Sequence, residues 1–188
     1  MAVLGEKEWL EHATLIGTVT LSWNRAVHQL LRVFTHLTGI ETPVAEAIFF
    51  SPQSDSSQRY LIKRVAEAVG LDKIHQDELN KLLKRLEGVS TGRNLAAHII
   101  FGVSAFDPIS NTWAPKVVPA LTPPQDRRLE NDFDAQFREV ERKLAQIYHD
   151  LEHWLIHTPY PNRPWPGPPL PIAAQAAMRA AVAERSEE

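Results

Sequence analysis

Cysteine is absent from this chain, which removes disulfides, thiolate nucleophiles and cysteine-ligated zinc or iron–sulfur centres from consideration. Glycine is sparse and never adjacent to another glycine: eight are scattered through 188 residues, with no phosphate-loop pattern, no nucleophile elbow and no internal repeat. No uninterrupted apolar run approaches the roughly 18 residues that a membrane-spanning helix needs. Neither sign of charge dominates, the formal net charge being −3. Residues 1–11 include Glu6, Lys7, Glu8 and Glu11 in place of the basic-then-apolar layout of a secretory leader. With the missing thiols, this sets a reducing, cytoplasmic compartment as the expectation, with no membrane partner.

What is present is enough apolar material for one real core, at 44% hydrophobic residues. Trp9, Ala13, Ile16, Thr20, Trp23, Val27, Leu30, Phe34 and Leu37 alternate steps of four and three, the stripe of a long amphipathic helix, with Gly39 placed to end it. A short helix follows from Thr42 as N-cap, with Pro43 at its first position, through Ala45 to Phe50. A third begins near Asp55, whose spacing to Gln58 fits a capping box. It turns Leu61, Ile62, Val65, Ala68 and Val69 inward before Gly70.

A fourth helix begins near Gln76 with Leu79, Leu82, Leu83 and Leu86 inward. Gly88 and Gly92 then suggest an interruption, with Ser90 or Thr91 capping a new helix; the alternative is one helix that tolerates both glycines. From Phe101 to Gln125 the pattern changes to Pro, Asn and Thr with short apolar runs, as in a small hairpin or ordered loop. Phe133, Phe137, Val140, Leu144, Ile147, Leu151 and Trp154 then mark a second long helix. The expected fold is all-α: an antiparallel helical bundle of about five core helices over residues 1–157 with a small irregular or hairpin insertion. Residues 158–188 form a proline-rich C-terminal extension, an arm followed by a short alanine-rich helix.

The chemistry concentrates in Arg93-Asn94-Leu95-Ala96-Ala97-His98. Arginine presents a fixed fork of donors matched to phosphate oxygens, and histidine is the side chain suited to both acid and base roles near neutrality. Five residues at about 100° each place Arg93 and His98 roughly 140° apart around a helix, whereas Asn94 and His98 share a face. Arginine must therefore reach round, or sit on an unwound turn, to join His98. If a new helix starts at Ser90 or Thr91, Arg93 and Asn94 lie in its first turn, where free N–H groups favour anions. Residues 59–98 are also the locally basic part of the chain. Lys63, Arg64, Lys81, Lys84 and Arg85 offer an RNA-binding footprint there, or simply a solvated helix face.

Arg93-Asn94-x-x-x-His98, late in an all-helical domain, resembles the Arg-x4–6-His motif of the HEPN superfamily. With Ala47–Ser51 and Arg59-x-x-x-Lys63 before it, the stretch also resembles bacterial proteins carrying Arg-Asn-x-x-Ala-His. The resemblance spans about residues 9–155. It implies a helical bundle that dimerises, two motifs meeting across a two-fold axis, and metal-independent endoribonuclease activity of the toxin or defence type. No cofactor is implied, and an antitoxin or regulatory protein is an expected partner beside RNA. His98 would act as general acid or base, Arg93 would stabilise phosphate charge, and Asn94 would orient.

Two other readings stay open. The motif can belong to a non-catalytic helical module that binds an anion or stabilises a dimer. Alternatively His149, His153 and His157, at four-residue spacing, can be drawn as a metal ladder, although His149 and His153 lie about 200° beyond the core positions Ile147 and Leu151 and so face solvent. No metal site is expected. Trp9, Trp23 and Trp154 are expected in the core, while Trp113 and Trp165 fall in irregular segments where they pin loops or stack on a base.

Overall fold

The computed structural model describes residues 6–98, 101–104, 116–119 and 132–159. Five helices carry the architecture: α1 (Glu6–Thr38), α2 (Thr42–Phe49), α3 (Asp55–Ala68), α4 (Lys73–His98) and α5 (Phe133–His157). Between α4 and α5 lie two short antiparallel strands, β1 (Phe101–Ser104) and β2 (Lys116–Pro119), with Phe101 opposite Pro119 and Ser104 opposite Lys116. The expected helical bundle with a hairpin insertion is the observed fold. The proline-rich arm and alanine-rich helix, with Trp113 and Trp165, lie outside the described residues, Thr158 and Pro159 excepted.

Cross-helix contacts give the directions. His12 meets Asp134, Arg25 lies over the Tyr148 ring, Arg32 approaches Glu152 and the His36 ring meets Trp154. Both numbers rise together, so α1 and α5 run parallel. Against α5, α4 descends: the Trp154 indole donates to the His75 carbonyl, Arg85 bonds Asp150, and Gly92 faces Val140. Consecutive helices alternate in direction, so with five of them the first and last come out parallel neighbours. α2 doubles back along α1, placing Phe49 beside Phe34 and Phe50 beside His28.

All seven predicted apolar positions of α5 are buried. α1 departs from its predicted stripe over its first half. There His12, Val19 and Trp23 are buried, whereas Ala13 and Thr20 are exposed and Trp9 is 43% exposed. The buried line runs one residue off because His12, not Ala13, faces α5, where its imidazole packs edge-on to Phe101 and beside Phe137. From Gln29 onward burial spreads to Leu30, Leu31, Val33, Phe34 and Leu37, since α2 and α3 add to α4 and α5 around that half. α3 also shifts inward contacts: Gln58, Ile62 and Ala66 are buried, Ala68 is exposed, and Leu61, Val65 and Val69 are only partly covered.

Helix ends follow local chemistry. Gly39 and Gly70 adopt φ of 64° and 69°, the left-handed geometry that ends α1 and α3 without a Cβ penalty. After Gly70 the Leu71 N–H bonds the Ala66 carbonyl at 3.1 Å, closing the reversal between α3 and α4. Three caps differ from expectation by a few residues. Glu41, not Thr42, precedes α2; Ser54 caps α3 by accepting from Ser57 N; and Asp72 caps α4 by accepting from Ile74 and His75. Ser54 and Asp72 supply side-chain oxygens to the first free N–H groups, whereas Glu41 makes no side-chain cap.

His36 carries a pH signature. Burial against Trp154 pushes its imidazole below the ordinary 6.5, outweighing the carbonyls of Thr158 and Pro159 that favour the charged form. A histidine with a depressed folded pKa contributes stability that is present above the unfolded value and lost as pH falls through the folded one. Urea midpoints of the wild type should therefore decline from pH 7 toward pH 5 more steeply than those of His36→Gln. Equal slopes would show that His36 is not responsible.

Candidate functional site

The motif sits in the last two turns of α4, which runs without a break from Lys73 to His98. Of the two readings of Gly88 and Gly92, the single continuous helix is observed and the restart at Ser90 or Thr91 is absent; the Ser90 hydroxyl donates to the Glu87 carbonyl inside the helix at 2.7 Å. Arg93 and Asn94 consequently do not occupy a first turn, and the open backbone groups at this helix end are carbonyls, which repel anions. An anion here depends on side chains.

Gly92 has a different cause from a helix break. A Cβ built on it would lie 2.5 Å from Val140 Cγ2, so glycine is what lets α4 approach α5 at that level. Gly88, one turn earlier, has nothing within 4 Å of such a Cβ. The two positions should thus respond with opposite sign. Gly88→Ala should stabilise by up to about 1 kcal/mol through helix propensity, whereas Gly92→Ala should destabilise by about 1–2 kcal/mol because overpacking exceeds that gain. Valine has one stiff torsion in a helix and cannot swing aside. Denaturant titration measures both; a stabilised Gly92→Ala would refute the close approach, and Val140→Ala in that background should restore part of the loss.

Arg93 is held by three contacts. Its guanidinium carbon lies 4.8 Å from the Trp23 ring centroid, Nη1 donates to Asn94 Oδ1 at 2.8 Å, and Nη1 stands 3.7 Å from Asp55 Oδ2. Arg93 thus points toward α1 and α3, and its contact within the motif is with its chain neighbour Asn94. Its side chain is partly buried, where a cation over an indole is worth about 0.5–2 kcal/mol. Asn94 and His98 are exposed, and His98 is the last residue of α4.

The basic candidates divide between helices. Lys63 and Arg64 are exposed on α3, where Arg64 bonds Glu67 at 2.6 Å; Lys81 and Lys84 are exposed on α4. Arg85 turns toward α5 and bonds Asp150 at 2.6 Å. Burial pushes the Asp150 carboxyl up, but hydrogen bonds from Arg85 and Gln146 outweigh it and leave it below the ordinary carboxylate value. On α5, Arg142 grips Glu139 through Nε and Nη2, both at 2.8 Å, with Lys143 at 3.4 Å. The Arg142 hydrogen bonds lead the pull on Glu139, which falls to about 2.

His149, His153 and His157 are exposed, as their helical phase requires, and the His153 and His157 rings stack at 4.0 Å. Among the described residues no three metal-ligating side chains converge. A polar pair that sequence reasoning missed lies inside the bundle. His12, 1% exposed, has Nδ1 2.7 Å from Asp134 Oδ1, and no group among the described residues bonds its Nε2. The two residues are 122 apart in sequence, and only the parallel contact of α1 with α5 joins them. Among the described residues no helix is long and apolar enough to cross a membrane. Comparison with protein-family models, curated proteins and solved structures gives no match to this chain.

Proposed function

We propose that this chain is a HEPN-like, metal-independent endoribonuclease that works as a two-fold dimer in the cytoplasm, of the toxin or defence type and with an antitoxin or regulatory protein as partner. The observation that supports this reading best is the link from Arg93 to Asn94. It ties the guanidinium to a side chain that shares an exposed helix face with His98, and on this reading the cation, the amide and the imidazole address one phosphate.

Cleavage by this chemistry needs a base and an acid at once. One His98 takes the proton of a ribose 2′-hydroxyl, whose oxygen attacks the adjacent phosphorus. The bond to the 5′-oxygen breaks, and a second imidazole returns a proton to that leaving oxygen. Arg93 offsets charge on the phosphoryl oxygens, and the products are a 2′,3′-cyclic phosphate and a 5′-hydroxyl. His98 is the motif's single imidazole, so the second comes from a second copy.

The test is incubation of purified protein with mixed RNA in the presence of a chelator, followed by analysis of the ends. Cyclic phosphate ends that disappear with His98→Ala and Arg93→Ala support the assignment. Cleavage that survives both substitutions, or no cleavage under any condition, overturns it. The second outcome favours the non-catalytic module, a reading that the Trp23 and Asp55 contacts of Arg93 also suit, because they are those of a structural clamp.

A further inference from the structure

Between the Gly92–Val140 contact and the Arg85–Asp150 bond, an open groove of about 390 Å³ lies between α4 and α5, within the roughly 300–1,000 Å³ of small-molecule sites. Its walls carry Arg85 from α4 and Arg142 and Lys143 from α5, with the Gln146 amide. Its floor is apolar: Val89 is 5% exposed and Ile147 1% exposed, with Gly88 open above them.

Gly88 is the telling residue. A glycine inside a helix costs about 0.5–1 kcal/mol relative to alanine, and here no packing neighbour requires it, since nothing lies within 4 Å of a Cβ at that position. What the missing side chain does is leave the groove empty.

The cations are positioned but not consumed. Arg142 uses Nε and Nη2 on Glu139, Arg85 uses Nη1 on Asp150, and Lys143 stands at 3.4 Å from Glu139. A guanidinium has five N–H donors and an ammonium three, so each retains donors for a ligand. Three cations face two carboxylates, and the surplus charge is positive. The carboxylates hold the long side chains at the rim, which lowers the entropy lost on binding. Arginine forks match phosphate oxygens, and a phosphate monoester carries about −1.5 to −2 charge with three acceptor oxygens. That suits donors arriving from both walls better than another carboxylate would.

We infer that the groove between α4 and α5 binds an organic phosphate, its phosphate held by Arg85, Arg142 and Lys143 and its apolar carrier resting on Val89 and Ile147 at the space left by Gly88. The site is separate from the motif. Gly88 and Gly92 face α5, whereas Asn94, two positions or about 200° beyond Gly92, points away from it.

Calorimetric titration with phenyl phosphate tests this, with inorganic phosphate and phenol as the separate halves of the ligand. Phenyl phosphate should bind at least tenfold more tightly than either half. Gly88→Leu places a side chain in the space, where a Cβ meets nothing within 4 Å, and should weaken binding at least tenfold without loss of thermal stability, as should Arg142→Gln with Lys143→Gln. His98→Ala should bind as the wild type does. Absence of phenyl phosphate binding, or equal affinity in Gly88→Leu, overturns the inference whatever the result of the RNA assay.

Discussion

Trp23→Ala should lower stability by about 3–5 kcal/mol, the usual range for truncating a buried large aromatic side chain. Trp23 is 1% exposed and among the largest fully buried side chains, near the middle of the helix that all other helices contact. For a chain of this length the loss corresponds to a fall in Tm of roughly 10 °C. A second consequence follows from position: the indole face is the platform on which the Arg93 guanidinium rests. Its removal leaves Arg93 with Asn94 and Asp55 alone. Trp23→Phe keeps an aromatic face and should cost less, about 1–2 kcal/mol. If the proposed function holds, RNA cleavage by Trp23→Ala, measured well below its lowered Tm, should fall further than that of Trp23→Phe. A stability loss under about 1 kcal/mol in Trp23→Ala would contradict the burial described. Equal cleavage by the two variants would separate the platform from the chemistry.

On the proposed function, His98→Ala should reduce RNA cleavage by about 10²–10⁴-fold, the contribution of a positioned general acid or base, with stability changed by no more than about 0.5 kcal/mol. The second expectation rests on exposure: an exposed side chain at a helix end contributes little to packing. Activity and stability therefore come apart, and a lost activity cannot be ascribed to unfolding. Mixing gives a sharper measurement. If the reacting phosphate lies between two copies, heterodimers of wild type and His98→Ala retain only one imidazole and should cleave far below half the wild-type rate. A titration of His98→Ala into wild type that lowers activity only in proportion to dilution would indicate that each chain acts alone.

How much of this was legible in the sequence varies by element. The seven apolar positions of α5 are all buried as read, because a helix packed along one stripe repeats its contacts with the period of the helix itself. Gly39 and Gly70 were legible as helix ends for an equally local reason, the left-handed backbone that glycine tolerates. α1 was read less well: it is packed from several sides, so its burial broadens after Gln29, and near its start a histidine takes the place expected of alanine. Gly92 was left open between a break and a continuous helix for a related reason. A glycine in a helical pattern looks the same from sequence whether it breaks the helix or admits a neighbour, and the deciding atom is the methyl of Val140.

The same division holds for the candidate site. The motif, its residue types and the shared face of Asn94 and His98 are properties of the chain and of helical geometry. Where the Arg93 side chain goes is not, since it depends on Trp23 and Asp55 arriving from two other helices. The His12–Asp134 pair and the cationic groove likewise exist only because α5 returns parallel to α1 and antiparallel to α4. The sequence by itself determined which segments are helical and the glycine ends of α1 and α3, because those follow from local backbone preferences and the 3.6-residue period. Tertiary structure alone decided what each face meets, because the distance between two helices is set jointly by side chains from both of them.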